Sequence, residues 1–215
     1  MNPSGKSVRA MTLVELLLVI AFLAILAAVF LSSITRPPPG KRVNCANNLK
    51  QIGISFQTWV LDNQGNYPMR VSATNGGTME LVESGFVYPH FQVMSNELST
   101  PRVLVCPEDA DRSAATNFVP DLRDNKLSYF IGVDATPTMP TAFLAGDRNL
   151  AIGGVPTMGL VRLPANERVS WTRRSHGGCG NILFGDGSVN LRTTAELSAA
   201  LPAADSTTNR LAIPR

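Results

Sequence analysis

The sequence is poor in the residues from which most active sites are built. Its 215 residues include only two histidines and three cysteines, and 16% carry charge. There is no Gly-x-Ser-x-Gly elbow, no His-Glu-x-x-His pair and no glycine-rich phosphate loop, so the usual signatures of serine hydrolases, zinc peptidases and nucleotide hydrolases are missing. Cys45, Cys106 and Cys179 show no Cys-x-x-Cys spacing, which argues against a zinc centre built on cysteine. Their odd number allows one disulfide and one thiol in an exported chain. Net charge is +3 and the basic residues are scattered, so no nucleic-acid surface is indicated. The chain has 17 glycines and 15 prolines, most of them beyond residue 40, and that part favours strands and loops over a helical bundle.

What the sequence does have is one long apolar run. Residues 13–31 are 19 in number, and only Glu15 is not apolar. As a helix they extend roughly 28 Å, close to the thickness of a bilayer's hydrocarbon core. The expectation is a helix over residues 11–35 that spans a membrane once. Lys6 and Arg9 precede it while Arg36, Lys41 and Arg42 follow, so charge counting does not orient it. Glu15 costs on the order of 2 kcal/mol in such a helix unless it reaches an interface or a cation. A chain cut before Met11 supplies that cation, because the new α-amine lies one turn from Glu15 or faces Glu15 of a neighbouring copy.

The stretch Lys6-Ser7-Val8-Arg9-Ala10-Met11-Thr12-Leu13-Val14-Glu15, opening an apolar helix, resembles the class III signal of type IV prepilins and type II secretion pseudopilins. The resemblance implies a leader over residues 1–10, cleavage after Ala10 and an N-methylated Met11 at the new terminus. It also implies that Glu15 sets register between subunits. The family usually has Gly where this chain has Ala10. A cytoplasmic N-terminus, an extracytoplasmic head and a single inner-membrane pass follow from the same resemblance, as does later assembly into a periplasmic or cell-surface filament. The implied partners are further pilin-like subunits, the prepilin peptidase and methylase, the inner-membrane assembly machinery and the membrane itself.

Beyond the run, Pro37-Pro38-Pro39-Gly40 cannot continue a helix, so residues 36–40 read as a hinge. Residues 41–62 read as an amphipathic helix, with Cys45, Leu49, Ile52, Phe56 and Trp59/Val60 down one face. Gly53 within it points to close packing. Residues 63–195 are expected to form a β-rich, loop-rich head, with a strand-like run at 102–105 and strands at 128–133 and 159–163. A hairpin over 181–191 turns at Asp186-Gly187. A short helix near 195–201 and a mobile tail complete residues 196–215.

A second resemblance lies in Asn44-Cys45-Ala46-Asn47-Asn48-Leu49-Lys50-Gln51-Ile52-Gly53 and Asn66-Tyr67-Pro68, then Cys106-Pro107-Glu108-Asp109 and Gly146-Asp147-Arg148-Asn149. His176 with Asp186-Gly187 ten residues on completes it. In this order the segments are similar to a large bacterial subgroup of pilin-like proteins with a C-terminal His-x9-Asp-Gly motif. The fold class expected is therefore α+β and pilin-like. Its N-terminal helix breaks at Pro37–Pro39, and the amphipathic helix packs on the head.

Asp147, His176 and Asp186 form a candidate polar cluster or cation site. A calcium loop at Asp109 and Asp111, with Glu108 beside them, is the alternative that the pseudopilin resemblance implies, although the EF-hand spacing is lacking. The structural reading of His176 and Asp186, as a strand-end histidine and a turn residue, stands against catalysis. No catalytic residue, confident metal ligand or cofactor is assigned.

A Cys45–Cys106 disulfide with Cys179 free is expected, because Cys45 lies on the apolar stripe and Cys106 ends an apolar run. Three reduced thiols are the alternative. Two functions follow: a structural subunit of a type IV pilus-like or type II secretion-like filament, or a single-pass membrane-anchored extracytoplasmic binding module or enzyme. Only the first requires the cut between Ala10 and Met11.

Overall fold

The computed structural model describes residues 13–34, 40–163, 168–201 and 209–215, with side chains of the first helix described through Leu26. Ala10, Met11 and most of the expected hinge, including Pro37–Pro39, lie outside the described residues. The chain divides into two units, residues 1–38 and 39–215.

In the first unit, helix α1 (Leu13–Ile34) follows from a leucine- and alanine-rich sequence without Gly or Pro. Among the described residues, no helix is long and apolar enough to cross a membrane. That finding overturns the expected single-pass span, and with it the inner-membrane placement and the membrane as a partner.

The second unit opens with α2 (Lys41–Asp62), whose buried face is Cys45, Leu49, Ile52, Gly53, Ser55, Phe56 and Trp59. A Cβ on Gly53 would meet Leu183 Cδ1 at 2.9 Å, so the glycine lets the helix sit close to the sheet below without pushing that leucine aside. Residues 63–126 then form 3-10 turns and the short helices α3 (Tyr88–Gln92) and α4 (Ser95–Leu98), with no strand among the described residues. The expected strand-like run at 102–105 is instead the 3-10 turn Pro101–Leu104. Pro101 pre-sets φ at the first position, and the Thr100 hydroxyl accepts the Arg102 N–H at 3.4 Å. The head is therefore β-rich only from residue 129 onward.

From there the strands are β1 (Tyr129–Gly132), β2 (Phe143–Asp147), β3 (Leu150–Ile152), β4 (Val155–Pro156), β5 (Gly159–Arg162), β6 (Val169–Trp171), β7 (Cys179–Phe184) and β8 (Val189–Thr193). Helix α5 (Thr194–Ala200) and strand β9 (Arg210–Ile213) follow. Six strands make an antiparallel sheet in the order β5-β9-β1-β2-β7-β8, and β4-β3-β6 make a smaller one.

Alternation along the interior strands β9, β1, β2 and β7 buries both faces of the large sheet. Tyr129, Ile131, Leu144, Leu183 and Ala212 join the core under α2. Phe130, Phe143, Ile182, Phe184, Leu211 and Ile213 join a second core with Trp171 of the small sheet and Leu197 of α5.

The expected mobile tail is corrected at its end. Arg210–Ile213 is an interior strand paired on both sides, with Leu211, Ala212 and Ile213 buried. Its first residue is pinned by Asp134, which accepts from Arg210 Nη2 at 2.8 Å.

Candidate functional site

Three segments far apart in sequence meet beneath the first turns of α2. Cys45 is there because the helix's apolar stripe faces the sheet. Cys106 arrives from the 3-10 turn at Pro101–Leu104, and the two are joined in a disulfide with Cα atoms 4.8 Å apart. His176 enters from the loop before β7. It adopts φ 55°, followed by Gly177 at 63° and Gly178 at 89°. This run of left-handed residues folds the loop back so that the imidazole points inward, and the two glycines carry most of it without steric cost. His176 Nε2 lies 3.3 Å from Cys106 Sγ and 3.2 Å from Asp147 Oδ2. Cys45, Cys106, Asp147 and His176 are all buried.

Each member is held from behind. Asp147 Oδ2 accepts the backbone N–H of Asn181 at 2.6 Å and its side-chain amide at 2.9 Å. Glu108 Oε2 accepts the His176 backbone N–H at 3.1 Å and stands 3.0 Å from Nδ1. Off the ring's N–H line, that second contact is electrostatic rather than a hydrogen bond. Arg42, one helical turn before Cys45, donates to the His176 carbonyl at 3.0 Å. Tyr129 donates to the Cys45 carbonyl at 3.4 Å. Its phenol is held well above the ordinary tyrosine range, by burial first and by the Asp147 carboxylate second.

The electrostatic outcome at His176 is a contest. Burial, the largest single influence, favours the neutral ring, but Asp147 and Glu108 together outweigh it and raise the pKa above 6.5. His176 therefore carries its charge further up the pH scale than a free imidazole. The other histidine behaves oppositely. His90, fully buried with Nδ1 on the Thr78 hydroxyl at 2.6 Å, is pushed by desolvation down to about 4.

The segment Gly146-Asp147-Arg148-Asn149 is the scaffold of the site. Arg148 forks onto Asp109, with Nε to Oδ2 at 2.7 Å and Nη2 to Oδ1 at 2.8 Å. Asn149 Nδ2 donates to the carbonyls of Thr172, Ser175 and Cys179, clamping the loop that delivers His176.

Of the expected cluster, the structure brings Asp147 and His176 together but leaves out Asp186. That residue sits at the opposite end of β7, where its carboxylate accepts the Ser188 N–H at 2.8 Å within the hairpin turn. The carboxylates of the alternative calcium loop face guanidinium and imidazole groups. Asp109 and Asp111 take Arg148, Asp111 also takes Arg174, and Glu108 takes His176 and Arg42. Cys179 is a half-buried free thiol.

The sequence reading missed Arg42, Asn181 and the role of Glu108, and it did not place the cysteines beside His176. Only Arg42 left a trace, three residues ahead of Cys45 and so on the same helical face.

Among the described residues, Cys45, Cys106 and His176 offer metal-ligating atoms that all lie within 4.8 Å of one another. No family model, curated protein or solved structure matches the chain.

Proposed function

We propose that this chain is a structural subunit of a type IV pilus-like or type II secretion-like filament, assembled by packing of α1 against α1 of other copies. The observation that carries the reading is the surface of that helix. Eleven large apolar side chains, from Leu13 at 77% exposed to Leu26 at 40%, stand open on every face. Such a helix needs cover, and each side chain removed from water contributes about 1.5–3 kcal/mol. The head, by contrast, closes both of its own cores, so it has no need of the helix to fold. The motif around Ala10 and Met11 supports the same reading, because cutting there frees an α-amine for Glu15 of a neighbouring subunit.

Intact mass and sheared-filament yield test this together. Cells holding the candidate peptidase should yield a chain beginning at Met11, recovered in a filament fraction. An Ala10→Leu variant should keep the leader and leave that fraction. Glu15→Val should be processed normally yet assemble poorly. A cut chain found only as monomer contradicts the filament reading, and wild-type yield from Glu15→Val contradicts the register role.

A further inference from the structure

We infer that reduction of the Cys45–Cys106 disulfide converts this buried cluster into a zinc site of two thiolates, the His176 imidazole and the Asp147 carboxylate. Two cysteines, one histidine and one carboxylate suit tetrahedral Zn2+, whereas the carboxylate disfavours the softer Cu(I). The spacing is already close. Zinc bonds of about 2.3 Å to sulfur and 2.0–2.1 Å to nitrogen put tetrahedral S and N ligands about 3.6 Å apart. Cys106 Sγ and His176 Nε2 are 3.3 Å apart here.

A second observation points to a ligand. Asp147 is 2% exposed, and its Oδ1 has no hydrogen-bond partner among the described residues, a costly state for a buried carboxylate.

The supports are those of a metal centre. The histidine's other nitrogen, Nδ1, lies 3.0 Å from the Glu108 carboxylate, an electrostatic contact that a small turn of the ring converts into the carboxylate–imidazole hydrogen bond that fixes a metal-binding ring. The Asp147 carboxylate is oriented by Asn181. In the conversion, two equivalents of a small-molecule thiol reduce the S–S bond to two thiols and leave as their own disulfide. Zn2+ then displaces both thiol protons and the proton on Nε2. This inference is independent of filament assembly.

Cobalt titration of the full chain in mild detergent is the test, with Co2+ as the probe and Zn2+ as competitor. The reduced chain should take up one Co2+, with a thiolate charge-transfer band and the d–d bands of tetrahedral cobalt, both erased by Zn2+. The oxidised chain should show neither. Cys179→Ser should retain the bands and His176→Ala should lose them. Glu108→Gln, which leaves every ligand in place, should weaken binding roughly tenfold. Three results would overturn the site: no bands from the reduced chain, folded or not by circular dichroism; bands abolished by Cys179→Ser; or bands unchanged in both His176→Ala and Glu108→Gln.

Discussion

Helices α1 and α2 have the same length, 22 residues each, and opposite fates. In α2 the apolar residues recur every three or four positions, and that stripe is covered by the sheet while Lys50, Gln51 and Gln57 face out. In α1 apolar residues fill every face, and those described are exposed. The difference teaches where each partner is. An amphipathic helix finds its cover inside its own chain. A helix apolar all round has more surface than one face of a domain can take, so its cover is expected from outside, which in the function proposed above means other copies.

Breaking the buried side of this comparison should cost most. Replacing Cys45 and Cys106 together by Ala unties α2 from a loop with sequence separation 61, about 4 kcal/mol in the chain-entropy model. Thermal unfolding of the head should fall by roughly 10 °C. Leu49→Ala, at a fully buried position of the stripe, should cost about 3 kcal/mol by urea titration.

The pH dependence comes next. The folded pKa of His90 is depressed to about 4, so its contribution is whole above pH 6.5 and is lost as pH falls toward 4, on the order of 3 kcal/mol. His176 has the reverse sign. Its folded pKa is raised, so its contribution is whole below pH 6.5 and fades as pH climbs through the raised value. A His90→Gln variant should flatten the acid limb of stability against pH and leave the neutral limb alone.

Smallest of all in stability should be Leu18→Asn on α1. The head's unfolding midpoint in urea should move by less than about 0.5 kcal/mol, while filament yield collapses.

What was legible in the sequence follows the same division. Periodicity exposed the stripe of α2 and the β7–β8 hairpin, because a helix face and a two-strand turn are local patterns. It misread Val103 and Leu104 as strand, since an apolar pair looks alike in either conformation and only Thr100-Pro101 before it marked the turn. Arg210–Ile213 read as tail because four residues carry too little periodicity to announce an interior strand. For the cluster, His176 and Asp147 were visible as motif residues. Their meeting with each other is set by β2 and β7 lying side by side, and Cys106, 70 positions from His176, is brought in by the turn at Pro101–Leu104 and its bond to Cys45, none of which spacing encodes. The run at 13–31 showed its apolarity plainly, yet a membrane and a bundle of copies call for nearly the same composition.

The most direct measurement places one photo-crosslinking residue at Leu18 on α1 or at Gln51, exposed on α2, in the full chain inside cells. The account predicts a ladder of homo-oligomers from Leu18 and essentially monomer from Gln51. A Leu18 probe that captures no second copy, while the protein is expressed and processed, would contradict assembly through α1.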